Sequence, residues 1–315
     1  HLSIRRQRQM CIRDRTNDEE YDKYIAVKPT KAKTTEIWRN YKIGTGEKTP
    51  KPKTDIVIKK NDTIIKKISL VLAQSEKHVE RFVEIGALNE KIKQVGSIKF
   101  DAEIQDNIGF NKIISNDKFF LAASTHEGEE EIIIDSYHKL LDDFPNLKLI
   151  IVPRHPERAN SVFEIFKNQK INAVIKSDLN LERENSNAII INATGKLDSL
   201  YDFAEIAFIG GSLFKKYGGH NLIEAAKNKC AIIVGPYMKN FEDILNLFKN
   251  ENACVQIESK SELTNAYKEL LNNNELRINM IDNATEVVAN NRGSSDKQFK
   301  YINDLINYEI SNSNN

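Results

Sequence analysis

The sequence predicts an α/β fold with a doubly wound parallel sheet. Three observations carry this reading. From Phe119 onward, short apolar runs alternate with stretches of helical period. The runs FFLAAS, LKLIIV, NAIIIN, IAFIG and CAIIVG lack the in-out alternation of a strand wetted on one face. Strands covered on both sides and separated by helices demand crossover connections and a parallel sheet.

The elements follow in order. ISLVLAQS (68–75) reads as a buried strand, and EKHVERFVEIG as a helix with Val79, Phe82 and Val83 on one stripe, stopped at Gly86. KIKQVG is a short strand. After a linker from Asp101 to Ser115, FFLAAS is a strand and EEEIIIDSYHKLLDDF a helix. LKLIIV is a strand and ERANSVFEIFKNQ a helix. INAVIK and NAIIIN are strands, LDSLYDFA a helix, IAFIG a strand and NLIEAAKN a helix. CAIIVG is a strand, NFEDILNLFKN a helix and ACVQI a strand. KSELTNAYKELLNN and two further helical stretches close the chain. This gives a Rossmann-like domain over about 97–292, assigned with its C-terminal helices to 97–315. Residues 67–96 read as a remnant of a preceding domain.

The beginning of the chain reads differently. QMCIRD (Gln9 to Asp14) resembles a translated library-preparation adapter, so 1–15 are set apart as an artefact. Residues 16–66, rich in Lys and Thr with KTPKPKT near the middle, carry no chemical motif and read as uncertain and partly ordered.

Composition narrows the function classes. Lys and Arg number 46 against 45 Asp and Glu, which argues against bulk binding of nucleic acid. The three cysteines show neither metal-ligand nor disulfide spacing, as in a reducing compartment. Cys230 and Cys254 sit in apolar runs and are expected to be buried. No apolar run approaches the roughly 20 residues of a membrane span.

Four motifs fall at predicted carboxyl ends of strands, where open α/β sheets bind ligands. In STHEGEEE (124–131), Ser124 and Glu127 have capping-box spacing and the later acids complement the helix dipole. That leaves His126 and Gly128 unexplained, and a glycine there suggests close approach of a ligand or another backbone. In VPRHPER (152–158), two prolines stiffen the loop and Arg154 offers a fork suited to phosphate or carboxylate. In INATGKLDSLYDFA (191–204), the amides of Gly195, Lys196 and Leu197 are candidate ligand donors. In GGSLFKKYGGHNLIEAA (210–226), Gly210 and Gly211 leave backbone bare for a ligand. A helix starting near Asn221 offers its N-terminus to an anion. Asn221 and Glu224 have the spacing either of a cap or of a ligand pair. Neither GxxxxGK[ST] nor GxGxxG occurs. No metal cluster and no nucleophile–histidine order is apparent, and no cofactor is expected. The residues describe a pocket for one nucleotide or sugar phosphate.

LAQSEKHVERFVEIGA, GSIKFD, AASTHEGEEE, FPNLKLIIVPRHPER, IGGSLFKKYGGHNLIEAA and VGPYMKNFEDI, in this order, resemble the bacterial 3-deoxy-D-manno-octulosonic acid (Kdo) transferases over about residues 67–305. The resemblance implies a two-domain glycosyltransferase-B fold. It implies inverting transfer of Kdo from CMP-Kdo to a lipid A precursor (lipid IVA) at the cytoplasmic face of the inner membrane, without a metal in the transfer step. Contacts to CMP are implied for Pro153, Arg154, Gly195, Lys196, Leu197, Asn221, Leu222, Ile223 and Glu224. Lys99 matches a lysine that stabilises charge on the donor in the transition state. The family's catalytic base, a glutamate in the N-terminal domain, has no convincing counterpart; Gly46-Glu47 matches only superficially. The chain is therefore expected to bind CMP and to transfer Kdo poorly, with acceptor and membrane contacts lying in an N-terminal domain absent or replaced here. Two alternatives stay open: another nucleotide-sugar glycosyltransferase or epimerase of this fold, and a CMP-binding module without catalysis.

Overall fold

The computed structural model describes residues 65–102, 119–177, 186–195, 197–201 and 204–313. The readings of 1–15, of nearly all of 16–66 and of Lys196 lie outside these residues. The described chain forms two compact units. One takes in the residues up to Ser97 together with those from Ser294, and the other runs Ile98–Gly293.

In the first unit, β1 (Val71–Ala73) pairs in parallel with β2 (Ile92–Gln94), joined through α1 (Glu76–Glu84). The period of two in β1 decides what covers it. Val71 and Ala73 face Ile65, Ile68, Val79, Phe82 and Ile92. Leu70 and Leu72, with Val95, meet Tyr301, Ile302 and Leu305 of the final helix. That helix, α9 (Ser294–Ser313), therefore belongs to this unit, whereas the sequence reading extended the nucleotide domain to residue 315.

The second unit carries seven parallel strands. Its elements are β3 (Phe119–Thr125), α2 (Glu129–Leu140), β4 (Lys148–Pro153), α3 (Ala159–Asn168), β5 (Ala173–Lys176) and β6 (Ala188–Ile191). They continue with α4 (Leu197–Tyr201), β7 (Ile206–Ile209), α5 (Ile223–Lys227), β8 (Ala231–Val234) and α6 (Glu242–Asn250). The unit closes with β9 (Val255–Gln256), α7 (Leu263–Asn272) and α8 (Asn274–Asn290). The strand order is β5-β6-β4-β3-β7-β8-β9.

Both faces are buried, as the uninterrupted apolar runs require. Leu121, Ala123, Ile150, Ile189, Ala207 and Ile232 point into one core with residues of α4, α5, α6 and α8. Phe120, Ala122, Leu149, Ile190, Phe208 and Ile233 point into the other with residues of α2, α3 and α7. The chain winds outward from β3 through β4 toward one edge, then returns to lay β7 on β3's free side. The direction of winding reverses between β3 and β7. A crevice opens at such a reversal, above the carboxyl ends of the two strands.

Candidate functional site

The site is built on how β3 and β7 end. The β3–β4 register slips between Ala123 and Thr125, so Ser124 bulges out with a left-handed φ of 55°. The bulge drives the Ser124 carbonyl against Gly210, just past β7, where a Cβ would collide with it. Gly210 is thus glycine because another backbone approaches, not because a ligand must. Its N–H is occupied by Ala123 O at 2.8 Å.

The capping box expected at Ser124 and Glu127 does not form. Gly128, at φ 89°, turns the chain, and α2 starts at Glu129. Glu129 and Glu130 are fully buried rather than solvated. Glu129 accepts the backbone N–H groups of His126 (2.9 Å), Gly211 (2.7 Å) and Leu213 (2.9 Å). Glu130 accepts Arg158 at 2.5 Å and the Thr125 hydroxyl at 2.9 Å. Burial pushes both carboxyls up; the three amides pull Glu129 back, and Arg158 pulls Glu130 back. The two acids therefore tie the β3 loop to the β7 and β4 loops. Sequence reasoning missed them because acids at a helix start already have a surface explanation. The available signal was a glycine directly before the acidic run.

Above this brace lie His126 and His220, with their Nε2 atoms 2.7 Å apart and their rings stacked at 5.0 Å. Tyr217 stacks on His126 at 4.0 Å, and its hydroxyl donates to Glu127 O at 3.2 Å. Burial first, then surrounding positive charge, lowers both histidines to about 4. At neutral pH one ring donates and the other accepts. His126 was expected at the site; His220 was not singled out.

Arg154 projects into solvent from the end of β4, with its N–H bonded to Thr125 O at 2.9 Å. Its guanidinium makes no hydrogen bond or ion pair with any described residue. It lies close enough to depress His220, His126 and Glu224. Pro153 is buried as the last residue of β4.

The segment after β7 departs from expectation. The helix α5 starts at Ile223, not Asn221, and has five residues. Its leading N–H, from Ile223, is taken by Asn221 Oδ1 at 3.1 Å. Glu224 binds the Asn221 side-chain amide at 3.1 Å rather than a backbone N–H. Glu224 is half-buried, and burial raises its pKa against the pull of Asn221. Leu222 and Ile223 are core residues, leaving them only backbone to offer a ligand. The Gly211 N–H is consumed by Glu129, so it is not a free donor. Gly195 is exposed at φ 70°, and Leu197 opens α4 with its side chain against the core. Asp198, beside it, is raised by burial and lowered by Lys227.

Lys99 lies in a short 3₁₀ turn, Ile98–Phe100, with its amine 4.2 Å from the centre of the Phe241 ring. Lys227 of α5 donates to Ala102 O, tying this segment to the helix that carries Glu224. Among the described residues, no three His, Cys, Asp or Glu side chains gather in a metal-binding group.

A family model described as 3-deoxy-D-manno-octulosonic-acid transferase matches residues 56–102, starting ahead of residue 67, where the motifs begin. A 3-deoxy-D-manno-octulosonic acid transferase of Haemophilus influenzae is 35% identical over 239 residues, covering 74% of this chain and 56% of the relative. One of Rickettsia prowazekii is 34% identical, covering 73% and 50%. The chain thus spans about half the length of the curated relatives it matches. Among solved structures, the C-terminal CMP-Kdo binding domain of WaaA from Acinetobacter baumannii is 29% identical with a TM-score of 0.52. The match covers 55% of this chain and 90% of that domain. A glycosyltransferase from Rickettsia africae, 17% identical with a TM-score of 0.55 over 82% of this chain and 69% of its own, shares the fold. The sheet and its neighbours are those of a glycosyltransferase-B fold. The chain is similar to the 3-deoxy-D-manno-octulosonic-acid transferases, in a family-model match over residues 56–102 and in relatives of about one-third identity over most of its length.

Proposed function

We propose that the Ile98–Gly293 unit binds the CMP portion of CMP-Kdo, and that the chain serves Kdo transfer to a lipid A precursor such as lipid IVA in lipopolysaccharide synthesis. One observation carries the reading. Arg154, His126, His220, Asn221 and Glu224 lie in the segments that follow β4, β3 and β7, beside the reversal of the sheet, in a unit similar to a CMP-Kdo binding domain. Arg154 supplies a guanidinium that is exposed and makes no ion pair with a described carboxylate, which suits the donor phosphate. Glu224, already holding Asn221, has a second oxygen for ribose hydroxyls. The exposed Gly195 loop with Leu197 is assigned a further contact to CMP. Lys99 stabilises charge developing on the donor. No cofactor is assigned.

Inverting transfer also needs a base for the acceptor hydroxyl. No described residue is given that role. This favours a second reading, a module that binds CMP without turnover. Incubating the purified chain with CMP-Kdo and lipid IVA separates the two. Transfer of Kdo sinks the module reading, and binding without transfer supports it. No described helix is long and apolar enough to cross a membrane. Contact with the cytoplasmic face of the inner membrane is proposed as peripheral, and binding to vesicles containing lipid IVA tests it.

A further inference from the structure

An acid in the first turn of a helix ordinarily lies in water. Glu129 does not: it is fully buried, and its two oxygens accept three backbone amides. Two of those amides, Gly211 and Leu213, lie 82 and 84 positions further along the chain, beyond β7. Starting α2 needs only the His126 contact. The other two join the ends of the strands between which the sheet reverses.

The bonds close a circuit. Glu129 Oε2 accepts from Gly211 N at 2.7 Å. Gly211 O accepts from Gly219 N at 2.7 Å. Gly219 leads directly to His220, whose Nε2 is 2.7 Å from Nε2 of His126. The N–H of His126 returns to Glu129 Oε2 at 2.9 Å. A Cβ on Gly211, at φ 70°, would strike the His220 ring at 2.8 Å, so the His220 ring packs against bare backbone there. Asn221 follows immediately, and Glu224 is three residues further on.

We propose that Glu129 is a positioning residue for the nucleotide pocket: its carboxylate sets the His126–His220 pair and the Asn221–Glu224 segment in the arrangement that receives the ligand. This rests on the reading of the crevice as a CMP pocket. A carboxylate is required because all three partners are donors. An amide presents one acceptor oxygen, and its NH₂ turns a donor toward a donor.

The test compares the full chain with Glu129→Gln and with Glu127→Gln, an exposed acid of the same loop. CMP affinity is measured by calorimetry, the two histidine ring titrations by NMR, and the melting midpoint of each protein. Glu129→Gln is expected to weaken CMP at least tenfold and to move the histidine titrations from about 4 toward the ordinary 6.5, while Glu127→Gln changes neither. Should Glu129→Gln fail to fold, Glu129→Asp, one methylene shorter, is read the same way. A lowered melting midpoint with unchanged affinity and unchanged titrations would reduce Glu129 to a structural residue and overturn the proposal. Wild-type protein that ignores CMP would overturn the pocket reading alone, and the histidine titrations would still decide the role of Glu129.

Discussion

Replacing Glu130 with alanine tests whether the strand-end loops are held by buried charge. Glu130 is fully buried, and the Arg158 side chain is 22% exposed. The guanidinium meets both carboxylate oxygens, at 2.5 and 3.3 Å, and the Thr125 hydroxyl adds a third bond at 2.9 Å. Removing one partner of a buried pair typically costs about 3–5 kcal/mol, because the other charge is left without compensation. Water reaching Arg158 places this case at the lower end, about 3 kcal/mol. For a unit of this size, at about 2–4 °C per kcal/mol, the melting midpoint should fall by about 6–12 °C. Glu130→Met/Arg158→Met leaves no orphaned charge and should cost less than Glu130→Ala alone. Thermal and urea denaturation of Glu130→Met, Arg158→Met and the double complete the cycle. A fall of less than about 2 °C for Glu130→Ala, or strictly additive single effects, would refute the idea that the pair braces these loops.

Glu224→Ala should weaken CMP binding by about 10–100-fold, the worth of a hydrogen bond to a charged group, while moving the melting midpoint by no more than about 2 °C. A large fall in midpoint with unchanged affinity would return Asn221 and Glu224 to plain capping. The histidine pair predicts an acid limb in stability. With folded values near 4 against 6.5, the unfolded chain binds more protons between those limits, so stability is steady above pH 6.5 and declines as pH falls toward 4. Both rings are half-exposed, so the combined loss should be modest, about 1–3 kcal/mol. Urea titrations at pH 7.5, 5.5 and 4.5 on wild type and His126→Gln/His220→Gln isolate it, since the variant should lack that part of the slope. Tyr137→Phe removes a buried hydroxyl that serves Leu147 O at 2.7 Å and Asn187 O at 2.9 Å. It should cost about 1–3 kcal/mol and leave CMP affinity unchanged, as a structural control.

The parallel sheet was legible because strands buried on both faces cannot hide their composition: FFLAAS, LKLIIV, IAFIG and CAIIVG all fall in place. Arg154 was legible because a strand running into proline-stiffened loop leaves an arginine few places to go but outward. The glycines were harder. Gly128 was suspected of a close approach, and the Phe214 ring is what it meets. Gly210 and Gly211 looked bare for a ligand, but their N–H groups are spent on Ala123 and Glu129. What decides this is the Ser124 bulge, a pairing between strands that local composition does not encode. Glu129, Glu130 and Arg158 were hidden for the same reason: their partners are distant in sequence, and each charge has a sufficient local explanation at the surface. The start of α5 moved because the Asn221 side chain replaces a helical turn.

The central claim is that the crevice between β3 and β7 recognises the cytidine nucleotide of CMP-Kdo. Calorimetry of the purified chain against CMP, UDP and GDP at one salt concentration tests it most directly. Saturable one-to-one binding of CMP, weak binding of UDP and GDP, and loss of the CMP signal in Arg154→Ala are expected. Equal affinity for the three nucleotides, or tight CMP binding that survives Arg154→Ala and Glu224→Ala together, would contradict it.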